Sequence, residues 1–355
     1  MREKLHRLVH RITGIIGSLP EYALPEKIKR LLCMVHGGLG DRLMTLPVLR
    51  QMRKLYPEAY MCVAWSGESL EEIDRDFDET LEFLPNDFIS QWNLIHAGWD
   101  CLFVNSVGAR SITTEVITAF SRIPLRIGPK WQYQKKSVYN RPYDLRFDRH
   151  FTVLNCSWMG DNFLSQPLPY HVQFTSGHND AHSKAIVLHP GVRIAYSGYE
   201  QKRWQTEKFA ELAVCLKRIY ENIQILAIVG PDDESVETAK LEKTGILIKH
   251  PLSLRELFSI ISQAYVFVGN DSGPAHVSAA LSVPSVVLFG PTNPLHSAPV
   301  SDKTVLICAG LNRPVRYSEL REYKPAPMDN ISIEVVLEGI KMAIEGALNT
   351  PRGED

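Results

Sequence analysis

The chain has 355 residues, of which 45% are hydrophobic and 22% are charged. This length predicts two domains, and the composition excludes a disordered chain, a fibre and an integral membrane protein. The 39 basic and 40 acidic residues nearly cancel, which excludes the overall positive charge of a dedicated nucleic-acid-binding protein. The six cysteines are scattered, without a C-x-x-C pair. They predict buried, reduced thiols in a cytoplasmic protein, not a disulfide framework or a zinc site.

The first 30 residues predict an amphipathic helix. Its apolar residues recur at steps of three and four and so share one face: Leu5, Leu8, Val9, Ile12, Ile15, Ile16 and Leu19. The stretch is too short to span a bilayer and lacks the apolar region of a signal peptide. Two interpretations stay open: a helix packed on the body of the protein, or residues 1–19 lying on an anionic membrane surface.

From residue 31 onwards, apolar runs alternate with helical segments. The predicted strands are Leu31–Val35, Met61–Ala64, Cys101–Val104, Ala185–His189, Ile223–Val229, Ile246–Ile248, Val266–Gly269 and Ser285–Phe289. One predicted helix follows the glycine loop and ends near Leu55. Four more start near Thr206, Glu234, Ser253 and Gly273. A polar, irregular stretch over 165–183 is a predicted linker. The pattern predicts an α/β chain of two doubly wound domains, 31–170 and 185–330, with a C-terminal helix over 331–349. Ligands in such domains bind beyond the carboxyl ends of the strands, and we expect a cleft between the domains.

A glycine-rich loop, Val35-His36-Gly37-Gly38-Leu39-Gly40-Asp41, follows the first predicted strand and precedes a helix. Glycines allow backbone N–H groups to approach an anion, and a helix start favours negative charge. The loop is neither a G-x-G-x-x-G fingerprint nor a P-loop. Asp41 serves equally well as a helix N-cap or as a carboxylate that removes a proton from an acceptor hydroxyl.

The second half carries the more specific pattern, a strand, a sharp turn and a helix over Val266–His276. Asp271 or Ser272 is expected to cap the helix, and the N–H groups near Gly273 suit a diphosphate. His276 lies one helical turn after Ser272. A second rigid loop, Gly290-Pro291-Thr292-Asn293-Pro294, follows the next strand at the same edge of the sheet.

These motifs resemble those of glycosyltransferase family 9, the ADP-heptose:lipopolysaccharide heptosyltransferases and their relatives. The resemblance rests on D-S-G-P-A-H-V-S-A-A-L-S-V-P-S-V-V-L-F-G-P-T-N-P (Asp271 to Pro294) and on G-D-R-L-M-T-L-P-V-L-R-Q-M-R-K-L-Y-P (Gly40 to Pro57). It implies a GT-B fold of two Rossmann-like domains, with acceptor bound by the first and nucleotide-sugar donor by the second. It also implies an inverting, metal-independent transfer of a sugar, heptose in the named members, to a lipopolysaccharide core or another glycan.

The resemblance assigns roles to individual residues. Asp41 becomes the candidate general base, and Lys202 the candidate partner of the donor phosphates. The residues implied in donor binding are Gly40, Glu234, Asp271, Ser272, Gly273 and His276. His150, which opens a predicted helix over 150–163, resembles an acceptor-side histidine. The residues alone leave a structural alternative open for each: Lys202 as a surface lysine, His276 as a structural histidine and Glu234 as a solvated residue at a helix start.

Several alternatives stay open at this point. Asp74-Arg75-Asp76 and Asp76-Phe77-Asp78 resemble the metal-binding D-x-D of another glycosyltransferase fold. No strand leads into them, so we predict a solvated acidic surface and no metal or cofactor. The G-G-L-G-D loop also occurs in starch-synthase-like enzymes, which use a different donor. A sugar-nucleotide epimerase or a non-catalytic nucleotide-sugar-binding protein would share the architecture. The expected location is the cytoplasm, with peripheral contact at the inner membrane as the alternative.

Overall fold

The computed structural model of the chain divides into two units, Met1–Leu168 and Pro169–Asp355. The residues that the structure describes are 2–17, 20–69, 73, 75–146, 148–160, 163–175, 185–192, 199–230, 233, 238–311 and 313–349.

The first unit contains a six-stranded sheet in which every pair of neighbouring strands is parallel, in the order β3-β2-β1-β4-β5-β6. Its strands are β1 (Arg30–Val35), β2 (Tyr60–Trp65), β3 (Glu79–Glu82), β4 (Cys101–Val104), β5 (Leu125–Lys130) and β6 (Arg141–Asp144). The central strands β1 and β4 are apolar and buried. Such strands need helices on both faces of the sheet. The helices are α1 (Arg2–Ile16), α2 (Leu39–Leu55), α3 (Phe88–Ile95), α4 (Ile112–Phe120) and α5 (Phe151–Cys156).

The second unit contains a seven-stranded sheet in the order β13-β12-β11-β10-β7-β8-β9, parallel except for β13. Its strands are β7 (Ala185–His189), β8 (Gln224–Ile228), β9 (Leu247–Lys249), β10 (Ala264–Asn270), β11 (Ser285–Phe289), β12 (Thr304–Cys308) and β13 (Pro314–Val315). The helices are α6 (Thr206–Ile219), α7 (Thr238–Glu242), α8 (Leu254–Ser262), α9 (Gly273–Ala280), α10 (Pro294–Ser297) and α11 (Ile333–Asn349). Helix α11 packs against the sheet through Val336, Ile340 and Ala343, which join the buried core of this unit.

The sequence located the central strands well, because they are continuous apolar runs. The predicted bounds of β4, β7 and β11 coincide with those of the structure. The edge strands β3 and β6 were not predicted, since one is half charged and the other contains a proline. The fully buried β12 carries the same apolar signal as its neighbours and was also not predicted.

One local prediction was wrong. The helix expected over 150–163 ends at Cys156 and continues only as a 3-10 turn over Ser157–Met159, after which Gly160 adopts a positive φ of 143°.

The predicted linker over 165–183 contains the boundary between the two units, after Leu168, and its described part forms no helix or strand. Tyr170 and Val172 are buried, and the Val172 N–H donates to Ala280 O at the end of α9. The part of the linker over 176–183 lies outside the described residues.

Helix α1 packs against α4, but not through the apolar face expected from the sequence. The buried residues are His10, Thr13, Gly14 and Gly17. A Cβ at Gly14 would overlap the carbonyl of Lys136, and one at Gly17 would overlap Ala119. The helix therefore approaches its neighbours through small and polar residues, and Leu8, Ile12, Ile15 and Ile16 are exposed.

No helix among the described residues is both long and apolar enough to cross a membrane.

Candidate active site

The Asp271 carboxylate organises the carboxyl edge of the second sheet. Its Oδ2 atom lies 2.7 Å from the Lys202 ammonium and accepts a hydrogen bond of 2.9 Å from the Thr292 hydroxyl. The side chains of Lys202 and Asp271 are only 15% and 7% exposed. The structure thus brings together the two predicted residues Lys202 and Asp271, and adds Thr292 from the second predicted loop. Lys202 is not a plain surface lysine.

Asn270, the last residue of β10, connects the segments that contain Pro190 and Trp204 at this edge of the sheet. Its buried side-chain amide donates to Pro190 O at 2.9 Å and accepts from the Trp204 N–H at 3.0 Å. The Trp204 indole is fully buried and donates to Ile331 O. The segment that carries Lys202 is therefore fixed on its carboxyl side by two hydrogen bonds. The sequence argument did not single out Asn270, although an amide directly after a predicted buried strand was a usable signal.

The start of α9 leaves backbone donors available for an anion. Ser272 is the N-cap residue, but its hydroxyl donates to Asn270 O and does not cap the helix. The expected side-chain cap is therefore absent. The first N–H groups of a helix have no partner within the helix, and Pro274 has no N–H to offer. The amides of Ser272 and Gly273 are the groups at this turn that can bind a diphosphate.

His276 lies in the second turn of α9 and is buried. Its Nδ1 atom shares a hydrogen bond of 2.6 Å with the hydroxyl of Tyr170. The pKa of His276 is lowered to about 4, mainly by burial; Asp271 opposes the shift, and the Lys202 charge contributes a smaller part of the lowering. The ring is consequently neutral near pH 7, where it can act in hydrogen bonding but not as a cation. Tyr170 was not identified from the sequence because it falls in the predicted linker.

Asp41 lies at the third position of α2, not at its N-cap, which is Gly38. The Asp41 carboxylate accepts a hydrogen bond of 2.8 Å from the Gly38 N–H, so it satisfies a free donor of the helix start. Gly37 has a φ of +109°, and a Cβ there would overlap the Asp41 carboxylate. Both the positive φ and the contact with Asp41 thus require a glycine at residue 37. The Asp41 side chain is half-buried.

A buried polar network lies behind the Asp41 loop. The side chain of Asn105, at the end of β4, bonds both the N–H and the C=O of His36, at 3.0 and 2.9 Å. The same amide contacts the Thr45 hydroxyl, which donates to Asp41 O at 2.7 Å. These contacts fix the loop backbone from β1 to the first turn of α2. Sequence reasoning missed Asn105, which, like Asn270, directly follows a predicted strand.

The His36 imidazole belongs to the same network. Its Nε2 atom lies 3.1 Å from the Thr114 hydroxyl, whose own proton is directed to Gln91 Oε1. Thr114 therefore accepts from His36, which assigns the His36 proton to Nε2. Burial lowers the pKa of His36 to about 4, so the ring is neutral at pH 7.

Two further predicted residues of the first unit, Gly40 and His150, lie at the starts of helices. Gly40 is the second residue of α2, next to Asp41. His150 is the N-cap of α5: its Nδ1 accepts from the Thr152 N–H at 3.2 Å, and it is buried. The Thr152 hydroxyl in turn donates to Met44 O of α2. His150 thus follows β6 at the same sheet edge at which Asp41 follows β1.

Glu234 lies outside the described residues, but its neighbour Asp233 is described. The buried Asp233 carboxylate accepts from the Gly230 N–H at 2.7 Å, just after β8. A Cβ at Gly191, after β7, would overlap this carboxylate. Asp233 therefore lies between the ends of β7 and β8, close to Arg203, whose pKa is lowered by burial and raised in part by Asp233.

The D-x-D carboxylates that the structure describes are bound to arginines of α2. Asp76 pairs with Arg50 at 2.9 Å, and Asp78 pairs with Arg53 at 2.5 Å. Asp78 also accepts from the Met61 N–H, and the pKa of its carboxyl is lowered by these hydrogen bonds. Within the described ranges, no group of three His, Cys, Asp or Glu side chains has the arrangement of a metal site.

Comparison with known protein families shows the family to which the chain belongs. The family model described as glycosyltransferase family 9 (heptosyltransferase) matches residues 117–325, more than half of the chain. The chain belongs to glycosyltransferase family 9. The matched region includes Lys202, Asp271 and His276, and the prediction that the chain is a glycosyltransferase is confirmed at the level of the family.

Individual relatives agree with this membership. Lipooligosaccharide heptosyltransferase 2 of Haemophilus influenzae is 30% identical over a segment that covers 30% of this chain and 32% of that protein. Lipopolysaccharide heptosyltransferase 3 of Escherichia coli is 23% identical, with 76% of this chain and 86% of that protein covered. The aligned segment thus spans about a third of the Haemophilus relative and most of the other.

A solved structure confirms the fold class. The structure of E. coli ADP-heptose lipopolysaccharide heptosyltransferase II superposes with a TM-score of 0.70 at 20% identity, and covers 90% of this chain and 99% of that one. The chain accordingly has the GT-B fold, with two Rossmann-like units, as the motifs implied.

The lowered pKa of His276 predicts a measurable effect of pH on stability. The unfolded chain protonates this ring below its usual pKa of about 6.5, whereas the folded chain keeps it neutral down to about pH 4. The free energy of unfolding therefore gains on the order of 3 kcal/mol from this residue as the pH rises through that window, and loses it on acidification. We expect His276→Asn to reduce the rise by about this amount, measured by urea unfolding at several pH values.

His250→Gln, at an exposed position, is the matched control and should leave the pH dependence unchanged. An unaltered pH dependence in the His276→Asn variant would contradict the assignment of a buried, neutral ring.

Proposed function

We propose that the protein is a heptosyltransferase that moves heptose from a nucleotide-diphosphate heptose, ADP-heptose, to a lipopolysaccharide-core acceptor with inversion at the anomeric carbon. The observation that carries the proposal is the Lys202–Asp271–Thr292 group beside the start of α9, within the region that matches the family model. The names of the relatives support heptose as the sugar and lipopolysaccharide as the class of acceptor.

The proposed role of the second unit is to hold the donor diphosphate. Breaking the bond between the anomeric carbon and the phosphate oxygen develops positive charge on the sugar and negative charge on the leaving diphosphate. The Lys202 ammonium and the amides of Ser272 and Gly273 are directed at one sheet edge, where they stabilise that negative charge. His276, whose ring is neutral, and Glu234 complete the proposed donor site; the family resemblance assigns Glu234 to the ribose. This donor set supplies positive charge from the chain itself, so the proposed transfer uses no metal and no cofactor.

The proposed role of the first unit is to bind and activate the acceptor. Asp41 takes the proton of the attacking hydroxyl as the new bond to the anomeric carbon forms. Its carboxylate is held by the Gly38 N–H, and its loop is fixed by Asn105 and Thr45, which keeps the base in one position. His150, at the start of α5, is the proposed acceptor-side residue. Gly40 is proposed to bind the donor, since a glycine permits close approach to the loop.

The proposed acceptor also suggests a location. A lipopolysaccharide core is attached to a lipid anchor, so the transfer takes place at the surface of a membrane. We place the protein in the cytoplasm with peripheral contact at the inner membrane through residues 1–19. No nucleic-acid partner enters the proposal.

Asp41→Asn tests the proposed base. The amide keeps the size of the carboxylate and can still accept from Gly38, but it cannot take a proton. We expect kcat for transfer to fall by a factor of about 100 to 10,000, with donor affinity unchanged. The measurements are initial rates of transfer and calorimetric binding of ADP.

Glu256→Gln is the matched control, because Glu256 occupies the same third position in α8 and accepts from the Leu252 N–H. Its amide oxygen can likewise keep accepting from the Leu252 N–H, and the variant should keep full turnover. Undiminished turnover in Asp41→Asn would remove Asp41 from the mechanism and favour a protein that binds nucleotide sugars without reacting them.

Lys202→Met tests the proposed donor site. Removing a charge-assisted contact to the diphosphate is expected to weaken ADP binding by a factor of about 10 to 100 in the presence of EDTA. Calorimetric titration of the full chain measures it, and circular dichroism checks the fold. Lys208→Met is the control, since the Lys208 ammonium lies nearby, above the Trp204 ring and against Asp329 O. Equal ADP affinity in all three proteins would contradict the role of Lys202.

A further inference from the structure

We infer that the first unit carries a membrane-docking surface made of the outer face of α1 and the adjacent loop 131–136, and that its partner is an anionic lipid bilayer. This inference deepens the proposed function, on which it rests for the lipid-linked acceptor. It extends the contact beyond the N-terminal helix and names the face that makes it.

Helix α1 is fixed in one orientation by the residues on its buried side. His10 and Thr13 are buried, and both contact the buried Glu115 of α4: His10 through its Nδ1 atom, and Thr13 through a hydrogen bond of 2.7 Å. Beyond the end of α1, the Arg126 guanidinium donates to Gly17 O at 2.8 Å. A buried carboxylate needs polar partners, and rotating the helix to bury its apolar face would remove both contacts and leave Glu115 with the longer hydrogen bond of 3.4 Å from Gln134 Nε2.

In this orientation α1 exposes a row of apolar side chains. Leu8, Ile12, Ile15 and Ile16 are between 47% and 65% exposed. Their spacing of four, three and one residues places them on one face of the helix, two turns long. Large aliphatic side chains exposed together in this way mark an interaction site in a soluble unit.

The loop 131–136, beside α1, contains aromatic residues of the kind found at membrane interfaces. The overlap that a Cβ at Gly14 would make with Lys136 O shows that loop 131–136 packs against the helix. Trp131 and Tyr133 of this loop stack at 5.9 Å, and the Arg7 guanidinium lies 5.3 Å from the centre of the Tyr133 ring. Aromatic rings of this kind are enriched at the level of lipid headgroups.

Charge selects an anionic bilayer as the occupant. Arg7, Arg11, Lys135 and Lys136 are exposed around the apolar row. Neither segment 7–17 nor loop 131–136 contains an Asp or Glu. A second copy of the same surface would bring these like charges together, whereas anionic lipid headgroups neutralise them. A partly inserted apolar row surrounded by basic side chains is the arrangement of an interfacial amphipathic helix.

Vesicle flotation with the full chain tests the inference without donor or acceptor, so its outcome is independent of transfer activity. Vesicles of phosphatidylcholine with phosphatidylglycerol are compared with vesicles of phosphatidylcholine alone. We expect binding to the anionic vesicles that weakens at high salt. Leu8→Gln/Ile12→Gln/Ile15→Gln should weaken it by a factor of about 10 or more. Arg11→Gln/Lys135→Gln/Lys136→Gln should weaken it by about fivefold for each charge removed.

Matched controls replace exposed residues elsewhere on the chain. Leu84→Gln/Ile89→Gln/Leu252→Gln removes three apolar side chains that are even more exposed, and Lys54→Gln/Arg218→Gln/Lys341→Gln removes three exposed charges. Both should bind vesicles as the wild type does. All substituted positions are exposed, so the fold is expected to survive, and thermal unfolding checks this.

Three results would overturn the inference: no binding of the wild type to anionic vesicles, equal weakening by the control variants, or a dimer that the apolar-face substitutions dissociate while vesicle binding is unaffected. A protein that floats with vesicles but fails to transfer heptose would leave this surface intact and refute the proposed function alone.

Discussion

The carboxylate of Asp271 is the group on which the second half of the site depends. A nearly buried ion pair survives only when both charges are well partnered, because each has lost its hydration. Lys202 and Thr292 supply the partners of Asp271, from loops that are far apart in the sequence. In this arrangement the charge of Lys202 is already balanced, so an incoming diphosphate must share the ammonium with Asp271. The pair therefore positions Lys202 beside the helix start while lowering the cost of holding an ammonium there in the free protein.

The same constraint shapes the edge of the first sheet. Parallel strands end together, and the backbone groups just beyond them need polar partners. Asn105 in the first unit and Asn270 in the second meet that need in the same way, each bonding backbone groups of neighbouring segments. In both units the residues proposed to act in the reaction, Asp41 and Lys202, lie close in sequence to backbone groups that such an amide binds. Rigid support from buried amides is what allows short glycine-rich loops to keep a defined geometry.

The sequence predicted the fold class and most of the central strands, because buried apolar runs are local signals. Resemblance to the family placed Lys202 and Asp271 in one donor site, and the structure shows their contact. The sequence could not decide what depends on tertiary contacts. The apolar stripe of α1 left burial and a membrane surface open, and the contacts of Glu115 with His10 and Thr13 leave Leu8, Ile12, Ile15 and Ile16 exposed. Likewise, Thr292 is recognised as a site residue only through its hydrogen bond to Asp271, 21 residues away in the chain. Tyr170 is recognised only through its hydrogen bond to His276, 106 residues away.

The central claim is heptosyl transfer from ADP-heptose, and a donor competition tests it most directly. The full chain is incubated with a heptose-free lipopolysaccharide-core acceptor and EDTA, with ADP-heptose, ADP-glucose, UDP-glucose or GDP-mannose as donor. Mass spectrometry then follows the acceptor. The account predicts a mass increase of one heptose residue with ADP-heptose and no product with the other donors. Transfer from a different nucleotide sugar, or no transfer from any of them, would contradict it.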